Sequence, residues 1–448
     1  MAGSKFSSPP KARAGRDIEA RNRQLLAAEA NVEAGRLSEA AALLDALAKA
    51  DPGDARVYVT GWLLANKAGN TPAALQSAKQ AVALAPMSGT AHYCLSESHH
   101  VLGDIDAARD SINRALMLAP TNLQFRQLAV NLATAKGDHA GAEKHLRAAY
   151  AQNPDLPGVK MMIGNVLRLQ SKFDEAETWL IGALAVNEND ADALHGLAMM
   201  AYLRDDHPVA QAYLERALVL RPDDAGYQYL LAVFKGEAPP QAPEAMTRGL
   251  FDDYASHFDK HLLGALRYRA PQLVAEAILR RYPTRVLNIL DLGCGTGLLG
   301  AALGRIDGFF VGVDLSMPML DEAKKLGIYS RLQQVNLLDA LEATDANEYE
   351  VIAAADVFVY LGALDQAFVN AFKVLRSGGW MHFTCEETSD DGPDFVVRKS
   401  VRYAHSQRYV TRLLAATGFA EPLIEAIDLR TEKEIAVAGY LVSVQKPG

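Results

Sequence analysis

The chain has 448 residues, half of them apolar and 22% charged, with 45 Lys plus Arg against 54 Asp plus Glu and a formal charge of −9. That length predicts two or three domains, each able to bury its own core, and the acidic balance gives no general footprint for nucleic acid. No run approaches the ~18 apolar residues of a membrane span, and the basic first residues lack the apolar stretch of a secretory signal.

Residues 1–20, with Ser7-Ser-Pro-Pro10 and then mixed Lys, Arg and Gly, carry few large apolar groups and are expected to form a disordered leader. From about residue 21 the chain repeats. Gly35, Gly69, Gly103 and Gly137 are 34 apart, and Ser171 and Asp205 continue the series. Pro52, Pro86, Pro120, Pro154 and Pro222 keep the same period, with Glu188 in the fifth place. Five residues after each member of the glycine series stands an alanine, from Ala40 to Ala210, and seven further on come Leu47, Ala81, Ala115, Ala149, Ala183 and Ala217. One helix stops at the glycine, a second carries small residues where two helices cross closely, and proline closes the turn to the next pair. This pattern resembles the tetratricopeptide repeat, and the resemblance covers six units within 21–235, with Tyr227–Phe234 as a capping helix. The fold expected there is an all-α helical solenoid. Its concave face would dock a peptide, a protein or a second protomer, or pack on the domain that follows.

Residues 236–247, with Gly236-Glu-Ala-Pro-Pro-Gln-Ala-Pro243, are read as a proline-rich, semi-extended linker that spaces this array from a second domain at 248–448. The second domain opens on Leu250-Phe-Asp-Asp-Tyr-Ala-Ser-His-Phe-Asp259, a lead-in helix of acids and aromatics. The stretch that organises it is Val286-Leu-Asn-Ile-Leu-Asp-Leu-Gly-Cys-Gly-Thr-Gly-Leu-Leu-Gly300. An apolar strand ends in Asp291, and Gly293, Gly295 and Gly297 then let the backbone turn sharply and approach a ligand. A second apolar run, Phe309–Val313, ends in Asp314. This is the strand–loop–helix–strand unit of a nucleoside-binding crevice. Gly295–Gly300 also matches the dinucleotide fingerprint, but Asp291 at the mouth of the loop would repel a pyrophosphate and suits a cationic amino-acid ligand.

Asp291-Leu-Gly-Cys-Gly-Thr-Gly297 closely resembles the first motif of the class I S-adenosylmethionine-dependent methyltransferases. The resemblance implies that the glycine loop, Cys294 included, passes the methionine part of the cofactor and that Asp314, followed by Leu315, holds the ribose hydroxyls. It also implies that Tyr254 and Phe258 form an aromatic lid. At the tip of the third strand, Leu332–Asn336, the family often places an adenine-binding Asp; here Asn336 and Leu337 stand in that place, with Asp339 as the alternative.

A fourth strand, Tyr349–Asp356, puts Ala355 and Asp356 at its tip, and Tyr360 follows. Strand tips on this side of an open sheet carry ligands, so Asp356 and Tyr360 are expected to face the methyl group or the acceptor. A helix over 365–375 ends at Ser377-Gly-Gly379, a fifth strand runs over Trp380–Cys385, and two last strands near 424–430 and 439–445 form a terminal hairpin. The expected architecture is a Rossmann-like, doubly wound, seven-stranded α/β sheet. Val401-Arg-Tyr-Ala-His-Ser-Gln-Arg-Tyr409 sits in the insertion before the final strands, and a similar string occurs in bacterial proteins that join tetratricopeptide repeats to a methyltransferase domain. It is read as supplying His405 as a general base, with Arg402 and Tyr403 orienting the substrate; the alternative for His405 is a capping or structural role.

The activity expected is methyl transfer from S-adenosylmethionine, releasing S-adenosylhomocysteine, to a small molecule or to a peptide recruited by the repeats. The alternative is a non-catalytic scaffold with a relic or sensor domain. Asp356-Val-Phe-Val359 stands where amide and base-amine methylases carry an Asn-Pro-Pro-Tyr-type string, which argues against those substrates. Neither a nucleic-acid nor a membrane partner is expected. Cys94, Cys294 and Cys385 are far apart in apolar contexts and read as buried thiols of a reducing compartment, with the cytoplasm as the default location and no metal-ligand spacing.

Overall fold

Turn chemistry sets the repeat of the N-terminal half. In the computed structural model, the backbone is described over 10–254, 268–432 and 435–448, and side chains over 18–252, 268–431 and 436–448. The helix pairs are Pro10–Glu33 with Leu37–Ala50, Ala55–Lys67 with Thr71–Leu84, Gly89–Val101 with Ile105–Leu118, and Leu123–Ala135 with His139–Gln152. Val159–Leu169 with Phe173–Leu184, Ala191–Leu203 with His207–Leu220, and the single helix Ala225–Phe234 follow. The first four pairs belong to one compact unit, Met1–Val159, and the rest of the chain to a second, Lys160–Gly448.

Gly35, Gly69, Gly103 and Gly137 have φ of 75°, 68°, 77° and 63°, the left-handed stop after the first helix of each pair. Ser171 (59°) and Asp205 (64°) adopt the same conformation although they carry a Cβ. The alanines at the crossings, Ala40, Ala74, Ala108, Ala142, Ala176 and Ala210, are all fully buried. Two further series with the same period cap the helices: Asp54, Ser88, Asn122, Asp190 and Asp224 start first helices, and Asn70, Asp104, Asp138 and Asp206 start second helices. Each accepts a backbone N–H with its side chain. One expectation needs correction: residues 10–20 are not a disordered leader but the start of the first helix. Ala, Arg, Lys and Glu favour helix there, and a proline in the first turn forfeits no hydrogen bond.

In the second unit, a helix at Ala270–Arg281 precedes a mixed, largely parallel sheet. Its strands are β1 (Ile289–Leu292), β2 (Phe310–Asp314), β3 (Arg331–Gln334), β4 (Tyr349–Ala354), β5 (Leu375–Thr388), β6 (Phe395–Val397), β7 (Tyr403–Ser406), β8 (Leu423–Glu432) and β9 (Ile435–Gln445). The order is β3-β2-β1-β4-β5-β7-β6, with β9 antiparallel to β5 and β8 to β9. Alternate residues of the strands feed two cores. Leu290, Leu292, Ile352, Ala354 and Phe383 meet the helices Asp365–Val374 and Gln407–Thr417. Ile289, Phe310, Val351 and Ala353 meet Ala270–Arg281 and Leu298–Leu303. That is a doubly wound sheet with helices on both faces.

Among the described residues the sheet has nine strands in place of the expected seven. The additional pair is the β6–β7 hairpin, whose β7 continues the parallel sheet beside the end of β5, from Glu386 to Thr388. Residues 377–379, expected as a helix end, are already strand, because β5 begins at Leu375. The expected linker is also not a spacer. Pro240 O accepts from Gly362 N and Ala363 N, each at 2.9 Å, Ala242 N donates to Tyr360 O (3.4 Å), and Tyr403 Oη donates to Pro239 O (2.8 Å). Prolines lack N–H donors but keep their carbonyls, so an extended proline segment can pair as an acceptor edge. The hairpin shares a core with the helix Ala225–Phe234 that follows the repeats: Tyr403, Phe395, Val397 and Val401 pack with Tyr229, Leu230, Val233 and Phe234.

Candidate functional site

The carboxyl ends of β1, β2 and β4 open onto one cavity of about 560 Å³. Its floor is the glycine loop. Gly293, Gly295 and Gly297 have φ of 62°, 53° and 87°, and a Cβ on Gly293 would stand 2.7 Å from the Val357 side chain. Gly293, Cys294 and Gly295 line the cavity; Gly297 instead starts the helix Leu298–Leu303 and is not on the wall.

Two acids flank the loop. Asp314 Oδ2 accepts from Gly295 N and Oδ1 from Ser316 N, each at 2.9 Å. Burial raises its carboxyl above the ordinary range, although these backbone donors pull the other way. Asp314 lines the cavity, and a carboxylate oxygen can accept more than one hydrogen bond. Asp291 is 1% exposed, and burial pushes its carboxyl up to about 7, even though Tyr329 Oη donates to Oδ2 at 2.7 Å.

Leu315, Asn336 and Leu337 form the next part of the wall. Asn336 caps the helix Leu337–Ala343, with Oδ1 accepting from Leu338 N at 2.9 Å and Nδ2 donating to Glu244 Oε2 at 3.3 Å. Asp339 lies in the first turn of that helix and is not on the cavity wall, so Asn336 and Glu244 are the polar groups at this strand tip. Ala355 and Asp356 line the opposite side. Asp356 is held at φ 57° by its N–H donating to Thr384 Oγ1 (2.8 Å), a backbone conformation that costs free energy for a residue with a Cβ.

The 401–409 string divides. Arg402 and Tyr360 line the cavity, and Phe251 meets the Tyr360 ring edge-to-face at 5.2 Å. His405 and Tyr403 do not reach it. His405 is fully buried in β7, its Nε2 donates to Gly362 O (3.0 Å), and burial drives its pKa down to about 4. A neutral imidazole whose proton is spent on a backbone carbonyl, away from the cavity, is not a general base there. The reading of His405 as the base is therefore corrected to the structural alternative. Tyr403 is corrected likewise: its hydroxyl holds Pro239, not a substrate. The Tyr254 side chain and Phe258, read as a lid, lie outside the described residues.

Several wall residues have no local signal in the sequence. Gln241 and Ala242 arrive through the paired proline segment, Tyr268 precedes the helix Ala270–Arg281, and Arg430 comes from the terminal hairpin. Arg430 Nη2 donates to Glu386 Oε1 (2.5 Å), and Nη1 lies 3.5 Å from both Asp356 oxygens.

A methyltransferase-domain family model matches residues 290–381, and tetratricopeptide-repeat models match 63–122 and 133–200. The chain is 29% identical over 189 residues to cellulose synthase 2 operon protein C of Komagataeibacter xylinus, covering 41% of this chain and 14% of that protein. It is 27% identical over 103 residues to a ubiquinone biosynthesis O-methyltransferase of Coxiella burnetii, covering 22% of this chain and 42% of that protein. It thus spans less than half the length of either relative. Among solved structures it is similar to a Burkholderia thailandensis 1,6-didemethyltoxoflavin-N1-methyltransferase with bound 1,6-didemethyltoxoflavin and S-adenosylhomocysteine, at 18% identity and TM-score 0.37 over 47% of this chain and 93% of that one. The glycine loop lies within the residues that the methyltransferase-domain model matches and 34-residue helix pairs within those that the repeat models match, so the chain joins tetratricopeptide repeats to a methyltransferase domain.

Proposed function

We propose that this chain is an S-adenosylmethionine-dependent methyltransferase. The observation that carries the reading is the Asp314 carboxylate, fixed by Gly295 N and Ser316 N at the wall of the cavity beside the glycine loop; a carboxylate there can accept from ribose hydroxyls. The fit extends along the wall. Leu315 and Leu337 offer apolar faces for an adenine ring, and Asn336 and Glu244 offer oxygens to its amino group. Gly293 and Gly295 let the backbone approach without a side chain in the way. When bound, S-adenosylmethionine supplies an electrophilic methyl group on a sulfonium, which a nucleophile takes by in-line displacement.

The protein's part is alignment and exclusion of water. Buried Asp291 and Asp314 place negative potential beside the loop, where a cationic ligand favours their ionised forms. Asp356 and Tyr360 stand at the acceptor side. Burial raises the Tyr360 phenol above its ordinary pKa, so it stays protonated and can donate or accept a hydrogen bond to orient the acceptor. The repeats are proposed to serve partner docking or self-assembly, the common use of such solenoid surfaces.

Calorimetric titration of S-adenosylhomocysteine into the full chain tests the reading. Micromolar binding is expected, and Asp314→Ala should weaken it at least about tenfold, because charge-assisted bonds of roughly 1.5–3 kcal/mol are lost. Absence of binding to the intact chain overturns the enzyme reading in favour of a scaffold with a degenerate domain.

A further inference from the structure

The first compact unit, Met1–Val159, holds a cleft that the reaction proposed above does not use. Its volume is about 480 Å³, and it lies where the second helices of the third and fourth pairs, Ile105–Leu118 and His139–Gln152, meet the start of Leu123–Ala135. Asn113 comes from the first of these helices, Lys144 and His145 from the second and Arg126 from the third. Leu116 and Met117 add an apolar side, and no acid is among the described residues that line the cleft.

The 34-residue period separates what the fold needs at these positions from what it does not. Arg126 stands at the place of His92 and Gln228, and each of the three bonds to the carbonyl of the proline six residues before it, Pro120, Pro86 and Pro222. An imidazole and an amide serve at the other two places, so that bond does not call for a guanidinium. Lys144 stands where other pairs have Gln76, Asp110, Thr178 and Ala212. His145 stands where they have Ser77, Ser111, Trp179 and Tyr213. The helices therefore cross without a basic group at either position, and only the fourth pair carries one at all three places.

These charges are poorly matched within the fold. Among the described residues neither Arg126 nor Lys144 has an ion pair, and Arg126 Nε and His145 Nδ1 have no hydrogen-bond partner. Burial lowers the Arg126 guanidinium from its ordinary pKa. Burial, with the charges of Arg126, Lys144 and Arg109, also holds His145 below its own, against the pull of Asp138. That acid is already engaged by Arg109 at 3.4 Å and by Gly141 N at 2.8 Å. Crowding like charges where burial disfavours them has a cost that a bound anion offsets. The donor set is a planar guanidinium, an ammonium point charge, an imidazole and an amide, which suits the three oxygens of a phosphate group better than the two of a carboxylate. Two fixed cations also match the charge of ~−1.5 to −2 that such an ester carries at pH 7.

We infer that this cleft binds a small phosphate monoester, its phosphate held by Arg126, Lys144, His145 and Asn113 and its esterified group lying on Leu116 and Met117. The site stands independently of the methyltransferase reading, because none of its residues lines the cavity beside the glycine loop.

The test is calorimetric titration of phenyl phosphate, inorganic phosphate and benzoate into the full chain at constant ionic strength. Phenyl phosphate is expected to bind at least about tenfold more tightly than benzoate, through its extra charge and oxygen, and more tightly than inorganic phosphate, through the apolar contact. Arg126→Gln combined with Lys144→Thr installs the residues found at these places in Gln228 and Thr178, so the helices should keep their packing. Phenyl phosphate binding should fall at least about tenfold in that protein, with its helical circular dichroism unchanged. Four results each overturn the inference: no saturable binding of phenyl phosphate at millimolar concentrations, benzoate binding as tightly, inorganic phosphate binding as tightly, or unchanged binding by the folded double variant. If the double variant does not fold, Lys144→Thr alone, at an exposed position, locates the site, and unchanged binding there counts against it.

Discussion

Asp291 shows how far a single buried side chain can be moved from its solution chemistry. It sits at the end of β1, 1% exposed, and burial, with Asp314 across the loop, raises its carboxyl to about 7 against the pull of the Tyr329 hydroxyl. In the unfolded chain it titrates near ~3.9. Between these values the folded protein holds a proton that the unfolded chain releases, so the contribution of this group to stability is fullest below pH ~4 and is lost as pH rises towards about 7. Asp291→Asn removes that dependence. Chemical denaturation at a series of pH values should find the variant gaining on the wild type steadily across this window, with no further gain above it; a difference independent of pH contradicts the assignment. Binding of a cation beside the loop should favour the carboxylate and so release a proton, which is the same linkage expressed through the ligand.

At the scale of elements, local rules decide some positions and distant ones decide others. The repeat stops were legible because a left-handed residue recurs every 34 positions, and the alanine crossings because a small side chain is needed wherever helices approach closely. The same logic marks two weak points. Ser171 and Asp205 occupy the glycine conformation at the cost of a Cβ in the left-handed region. Ser171→Gly is therefore expected to stabilise the chain by about 1 kcal/mol, read as a rise in denaturation midpoint without a change in slope. Asp205→Gly gains less, since it also breaks the surface pair with Lys399 at 2.6 Å. The glycine loop and strand tips were legible for a similar reason: backbone turns and buried strands carry their signal in adjacent residues. What was not legible depends on pairing between segments far apart in the chain. The 401–409 string looks like one functional unit, yet β-strand alternation sends Arg402 to the cavity and Tyr403 and His405 into packed surroundings. Arg430 meets Asp356 across 74 residues of sequence, and no local pattern announces such a contact.

For the whole molecule, the division of labour does not follow the proline segment. Residues 236–247 were read as a boundary because prolines and polar residues usually mark one, but Pro240 and Ala242 pair with 360–363, directly beside Tyr360 on the cavity wall. The apolar faces of Phe395, Val397 and Tyr403 are covered by Tyr229, Val233 and Phe234 of the helix that caps the repeats. A chain cut at residue 235 would expose those faces and lose the partners that fix the hairpin behind Arg402. Uncovering several buried aromatic and aliphatic side chains, each worth roughly 1.5–3 kcal/mol, exceeds the margin of most domains. A chain beginning at Asn153, in the turn before Val159–Leu169, keeps the whole unit from Lys160 onward. Expressed side by side, the longer piece should be soluble, unfold in one cooperative transition and bind little of a dye that reports exposed apolar surface. The piece starting at 236 should aggregate or bind the dye strongly. Equal behaviour of the two would mean that the last repeats merely rest on the α/β sheet; the expected difference would make them part of its core, and a ligand on those repeats could then bias the acceptor end of the cavity through Pro239, Tyr403 and the neighbouring Arg402.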